Sequence, residues 1–229
     1  MFYGEYVWLN IIFLILGYLI GSFNLAIIIT KLRGNDIRKI GSQNPGATNA
    51  LRNFGIKFAA LVFAFDIFKA FLATIIAFLI KKYLKNLEYI FPMLAGLGAV
   101  IGHVFPVYFK FKGGKGVACF FGIMLAYNFL LFLIFVAIYV ILVFSTKYVS
   151  LASSISCGII PYLGLIYIFY AGTIFGYMQQ NVVYPAHVII LILASLIIVV
   201  KHIPNFKRIF KHTEPKIFSK QKKHKNIDS

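Results

Sequence analysis

Lys112 to Gly116 reads KGGKG, and glycines set around a lysine are one way to hold an anion. Successive glycine N–H groups can turn toward one point, a helix starting just after them adds the positive end of its dipole, and Lys115 adds a full charge. The segment is not a Walker A loop, since GxxxxGK[ST] needs glycine where Phe109 stands and a hydroxyl where Gly116 stands. The bland alternative is a flexible basic turn. Gly113, Gly114, Lys115 and Gly116 are therefore candidate phosphate-binding residues, with His103 at the other end of the same stretch, GHVFPVYFKFKGGKG.

A second stretch, KIGSQNPGATNALR from Lys39 to Arg52, is polar in an oily chain. Gly41, Pro45 and Gly46 stop a regular helix, while Ser42, Asn44, Thr48 and Asn49 offer short donors and acceptors. Arg52 follows about one turn into a helix, with a planar fork suited to phosphate oxygens. A cap plus a turn would explain part of this, but so many such residues together point to a ligand cradle. A third stretch, KHIPNFKRIFKHTEPK, sets His202 and Asn205 three apart, a spacing that shares a helical face, and places Glu214 among cations with which it would pair. Within an apolar run, Asp66 and Lys69 are also three apart and would neutralise each other.

The elements that must carry these residues are membrane helices. Of the 229 residues, 61% are hydrophobic and only 13% charged, outside the range of an ordinary soluble domain. Apolar windows fall at about 7–30, 55–80, 88–104, 117–147, 150–172 and 183–200. The first lacks a basic leader and a small-residue cleavage pattern, so it reads as a retained helix. Cys119 and Cys157 lie in apolar runs and show neither a disulfide framework nor a metal spacing. No metal or cofactor is expected.

The fourth window has no charge from Val117 to Thr146 and would make a helix of about 45 Å, too long for one comfortable crossing. Basic residues arbitrate, because they favour the cytoplasmic side. They cluster at 31–57, at 110–115 and in the tail from Lys201, which carries nine. Splitting the fourth window near Asn128 places all three clusters on one face. The expectation is an all-α integral membrane protein of seven transmembrane helices, amino terminus outside and carboxyl terminus cytoplasmic, with one transmembrane domain over 1–210 and a basic tail over 211–229. The net charge of +17 then reflects contact with anionic lipid heads and not nucleic acid. The polar stretches, joined by the turn from Lys147 to Ser156, meet on the cytoplasmic face.

The sequence resembles the bacterial membrane glycerol-3-phosphate acyltransferases that use acyl phosphate as donor, the PlsY family. The likeness runs through GSFN at Gly21, DIRKIGSQNPGATNALRNFG at Asp36, FDIFKAF at Phe65, GHVFPVYFKFKGGKGVA at Gly102, KYVSLASS at Lys147 and HIPNFKRIFKHTE at His202, nearly the whole chain. It implies the seven-helix fold and transfer of an acyl chain to the 1-hydroxyl of glycerol 3-phosphate, giving lysophosphatidic acid and phosphate in the bacterial inner membrane. It also implies functional roles for Ser42, Arg52, His202 and Asn205, glycerol-phosphate binding by Gly113 to Gly116, a structural Glu214, and a serine-bearing turn with Ser150 and either Ser153 or Ser154. Asn44, Gly46, Thr48 and Asn49 join the substrate-binding set. Acyl phosphate, glycerol 3-phosphate and membrane lipids are the expected partners, with a monomer as the simplest assembly.

Acyl phosphate is already an activated anhydride, so alignment, oxyanion stabilisation and charge neutralisation are the main demands. His202, His103 or the donor's own phosphate could take the proton. No GxSxG elbow is present, which favours direct transfer over an acyl-serine.

Overall fold

The computed structural model describes residues 3–83, 89–166, 169, 178 and 182–217. Most of the connection between the last two apolar windows and the part of the basic tail beyond 217 lie outside the described residues. Among those described, every regular element is a helix.

The first apolar window is not one straight helix. It divides into α1 (Tyr3–Ser22) and α2 (Leu25–Leu32), because buried Asn24 caps α2, its side-chain oxygen accepting from the Ile27 N–H at 3.0 Å. Its amide nitrogen donates to the Pro45 carbonyl at 3.3 Å. The break thus anchors the polar stretch that follows, something an uncharged window does not reveal.

After a single 3-10 turn at Ile37–Lys39 come α3 (Ala47–Phe54) and the long α4 (Ile56–Tyr83). Helix α5 (Met93–Val104) leads through a second 3-10 turn, Val107–Phe109, to α6 (Val117–Tyr127). Helices α7 (Phe129–Thr146) and α8 (Val149–Leu163) follow, then α9 (Ala186–Lys201) and α10 (Ile203–Phe210).

Helices α1 and α5 meet backbone to backbone. A Cβ at Gly21 would stand 2.2 Å from the Ala99 carbonyl oxygen, and one at Gly102 would stand 2.1 Å from that of Tyr18. Small residues at such a seam let two membrane helices gain dispersion contacts where no hydrophobic force drives them together.

The expected split of the fourth window falls at Asn128. Its oxygen accepts from the Leu131 N–H at 2.9 Å to start α7, and its nitrogen donates to the Phe169 carbonyl at 3.0 Å. A polar side chain so fully used is stable at membrane depth.

Three described units, Val7–Leu32, Ile56–Tyr83 and Phe129–Thr146, are long and apolar enough to cross a membrane; α9 and α10, bent by 44°, make a fourth if they form one span. Met93–Phe109, Val117–Tyr127 and Val149–Leu163 are shorter apolar units. At 1.5 Å per residue α6 is only about 16 Å long, too short to cross the bilayer by itself.

Candidate active site

One cavity of about 1240 Å³ opens among the polar stretches. From the stretch Lys39 to Arg52 come Ser42, Asn44, Gly46, Thr48, Asn49 and Arg52; from the glycine loop, Gly113, Gly114, Lys115 and Gly116. Ser150 and Ser153 come from α8, and His202, Asn205 and Glu214 from the third stretch. The structure therefore brings together residues from all three polar stretches and from the serine-bearing turn. Between the two serines left open, Ser153 lines the cavity and Ser154 does not; both are buried, their hydroxyls donating to the Val149 carbonyl at 2.7 Å and the Ser150 carbonyl at 2.9 Å.

Three helices begin at this cavity. Ala47 and Thr48 start α3, Val117 and Ala118 start α6, and Val149 and Ser150 start α8, all of them lining residues. None of the three has a side-chain cap hydrogen bond or an acidic residue in its first turn. First-turn N–H groups left without intrahelical partners, together with three positive dipole ends, favour anions. Lys39, Arg52, Lys115, Lys201 and Arg208 add full charges to the same walls.

The glycine loop owes its shape to His103. A Cβ at Gly114 would stand 2.1 Å from His103 Nε2, and the Gly114 N–H donates to the His103 carbonyl at 3.0 Å. Gly116, at φ +89°, turns the chain into α6 in a conformation that side chains rarely adopt.

The stretch Lys39 to Arg52 is held from inside by Asn49. Its oxygen accepts from the Ser42 N–H at 3.0 Å and from Asn53 Nδ2 at 2.9 Å, while its nitrogen donates to the carbonyls of Ile40 at 3.0 Å and Ile37 at 3.3 Å. Both donors and both acceptor sites are spent. Asn49 shapes the loop that presents Ser42.

Glu214 closes the opposite wall. It accepts from Ser150 Oγ at 2.8 Å, Asn205 Nδ2 at 2.7 Å and Arg208 Nε at 2.7 Å. Burial alone would raise its pKa, but these three donors outweigh it and leave the carboxyl below its ordinary range. Asn205 in turn accepts from Lys115 Nζ. Asn205 is therefore a bridge between the glycine loop and the carboxylate. Arg52 Nη2 donates to the Pro215 carbonyl at 2.9 Å, tying the stretch Lys39 to Arg52 to the same tail segment.

Burial lowers the pKa of Lys115 to about 8; Glu214 partly offsets this, and the positive charges of Arg208, Arg52 and Lys201 add to it. His202 Nδ1 lies 2.8 Å from the Ile198 carbonyl. A carbonyl only accepts, so Nδ1 carries the proton and the neutral ring has its lone pair on Nε2. One wall is apolar, with Phe63, Val117, Tyr139 and Val149 beside the polar floor. The arrangement suits an amphiphile whose polar end is anionic.

Residues 11–212 match the family model described as glycerol-3-phosphate acyltransferase. The chain belongs to the glycerol-3-phosphate acyltransferase family. It is 42% identical over 206 residues to the glycerol-3-phosphate acyltransferase of Bacillus subtilis (strain 168), covering 89% of this chain and 95% of that one. The protein of the same name from Mycoplasmopsis synoviae (strain 53) is 39% identical over 218 residues, with 91% and 95% covered. Among solved structures, the glycerol 3-phosphate form of PlsY (YgiH), an integral membrane glycerol 3-phosphate acyltransferase, superposes with a TM-score of 0.74 at 31% identity, covering 90% of this chain and 94% of that one. The lysophosphatidic acid form of the same protein gives 0.73 at 31% identity, with 92% and 96% covered.

Some cavity residues of this family member were not expected there from sequence. Asp66 reaches the cavity from α4, and Arg208 lines it while pairing with Glu214; His103, already a candidate from its stretch of sequence, lines it as well. Asp66 does pair with Lys69 as its spacing implied, at 2.7 Å. Only the packing of α4 beside α5 shows that His103 joins them.

Proposed function

We propose that this protein transfers an acyl chain from acyl phosphate to the 1-hydroxyl of sn-glycerol 3-phosphate, releasing lysophosphatidic acid and phosphate, the first step of phospholipid synthesis. The observation that carries the reading is the convergence of three uncapped helix N-termini and five cationic side chains on one cavity. Both substrates carry phosphate, and two anions are held side by side only where fixed positive potential outweighs their repulsion. The apolar wall at Phe63, Val117 and Tyr139 gives the acyl chain a surface to pack against.

Each group then has a task. The glycine loop, Lys115 and the start of α6 take the phosphate of glycerol 3-phosphate. Arg52, Ser42 and the polar groups of Asn44, Gly46 and Thr48 take the acyl phosphate. The hydroxyl oxygen attacks the acyl carbon, the bond from that carbon to the phosphate oxygen breaks, and phosphate leaves with the electron pair. The hydroxyl proton passes to His202 Nε2, whose lone pair the Ile198 contact leaves available. Ser150 and Ser153 line the wall opposite, and Glu214 with Asn205 holds Lys115 in place.

The setting we propose is a bacterial inner membrane crossed seven times, amino terminus outside, with the cavity and the tail from 211 facing the cytoplasm and the chain acting as a monomer. The apolar helices among the described residues, three of them long enough to cross a membrane, and the basic residues around the cavity support it. Purified protein in vesicles, given labelled glycerol 3-phosphate and palmitoyl phosphate, should form labelled lysophosphatidic acid. Product formation from an acyl thioester but not from acyl phosphate would overturn the choice of donor.

A further inference from the structure

Three groups at the inner end of the cavity have no part in the transfer just described. Asp66 and Lys69 on α4 and His103 near the end of α5 are only 2%, 3% and 3% exposed, and Asp66 and His103 line the cavity. The Lys69 ammonium has three N–H groups and meets three acceptors: the Phe23 carbonyl at 2.7 Å, Asp66 Oδ1 at 2.7 Å and His103 Nδ1 at 3.1 Å. An ammonium only donates, so its contact with Nδ1 uses the lone pair of the ring on that side. The neutral ring then carries its proton on Nε2.

A charged ring changes nothing at Nε2. Its Nδ1–H would turn to Asp66 Oδ1, 3.3 Å away, and Nε2 would still bear hydrogen. The remaining form, neutral with its proton on Nδ1, would oppose that N–H to the ammonium. Nε2 faces the glycine loop, as the 2.1 Å approach of a Cβ at Gly114 shows. Asp66, His103 and Cys119 also have the spacing of a metal site, with ligand atoms within 4.8 Å of one another. Lys69 already supplies a cation to two of those three.

We propose that His103 is an anion-binding donor and not a base: its Nε2–H is presented beside Gly114 to the phosphate held by the glycine loop, and Lys69 and Asp66 are positioning residues that fix that tautomer. The inference deepens the acyltransferase reading and rests on it for the identity of the anion. It also makes the two cavity histidines complementary. His202, pinned through Nδ1–H to a carbonyl, offers a lone pair; His103, pinned through its Nδ1 lone pair to an ammonium, offers a proton.

Glutamine places an amide nitrogen near the position of Nε2, whereas asparagine reaches only to that of Nδ1. His103→Gln should keep the KM for glycerol 3-phosphate within about threefold, and His103→Asn should raise it about tenfold or more, the range for a hydrogen bond to a charged group. Equal loss of kcat in both variants, with KM unchanged, is the mark of a lost base and would overturn the assignment. Nitrogen-15 NMR of histidine-labelled protein supplies a readout independent of turnover. The His103 Nε2 signal should be that of a protonated nitrogen and should move when glycerol 3-phosphate is added; an unprotonated Nε2 would overturn the proposal. In Lys69→Met the neutral ring should move its proton to Nδ1, toward Asp66, and an unchanged tautomer would remove Lys69 from its positioning role. A shift of Nε2 by glycerol 3-phosphate in a protein that transfers nothing from acyl phosphate would leave His103 as a donor and overturn the acyltransfer reading alone.

Discussion

The backbone N–H of Ser42 donates to the side-chain oxygen of Asn49 at 3.0 Å, across seven residues of chain. The same amide nitrogen holds the Ile37 and Ile40 carbonyls, so the conformation of the Ser42 loop is written into one buried side chain. Asn49→Ala should orphan several of these groups, at about 1–3 kcal/mol for each one left buried without a partner. Both activity and melting temperature should fall. Ser42→Ala leaves that lattice intact and should abolish turnover with the melting temperature unchanged. A melting temperature for Asn49→Ala equal to that of the parent would contradict the structural assignment.

Gly114→Ala is expected to act through His103, because the new Cβ would stand 2.1 Å from Nε2. The ring or the loop must move, and the loop is the proposed seat of glycerol 3-phosphate. Steady-state kinetics should show its KM raised, with the KM for acyl phosphate little changed. The reverse pattern would move the loop to the other substrate.

Much of this was legible before any coordinates. Three polar stretches stand out against hydrocarbon, and basic residues around them placed the break at Asn128, where a polar side chain caps α7. The break at Asn24 escaped notice because no charge marks it and its cap depends on a partner, Pro45, in the next segment. Residue type marks Asn49 as a ligand-binding amide, and its bonds to Ser42, Ile37 and Ile40 within the loop are not legible in the sequence. Asp66 and Lys69 were visible as a pair by spacing. That His103 completes the cluster depends on the side-by-side packing of α4 and α5, which sequence does not encode locally.

The pH dependence of substrate binding should report Lys115. Burial lowers its pKa to about 8, so its positive charge is present below that value and is lost as pH rises through it. The kcat/KM for glycerol 3-phosphate should fall above about pH 8, approaching about tenfold per pH unit if the charge is essential. A bound phosphate favours the charged lysine, so the fall in kcat should come at higher pH. Lys115→Arg keeps its charge throughout this range and should remove the break. Persistence of the break in that variant would assign it to another group.

Glu214 gives a prediction of opposite sign. Its carboxyl is held below the ordinary range by Ser150, Asn205 and Arg208, so the stability it contributes is present above that range and is lost as pH falls through the folded-state value. Glu214→Ala should lower the melting temperature at neutral pH and flatten its decline toward acid. It should also reduce turnover, because Asn205 and through it Lys115 lose their anchor. A variant with full stability and lost activity would point instead to direct participation of the carboxylate.

The role of His202 turns on which atom receives the hydroxyl proton. Asparagine at this position can keep a donor near the Ile198 carbonyl, now held at 2.8 Å from Nδ1, but has no basic nitrogen in place of Nε2. If His202 is the base, His202→Asn should lower kcat by about 10²–10⁴ with modest change in either KM, the usual contribution of a positioned base. If the departing phosphate takes the proton, kcat should fall less than about tenfold, since that base is part of the substrate and survives the substitution. The pH profile separates the two further. Loss of the acid limb of kcat/KM in His202→Asn would identify the imidazole, whereas an acid limb that tracks the second ionisation of the acyl phosphate, unchanged by the substitution, would identify the donor.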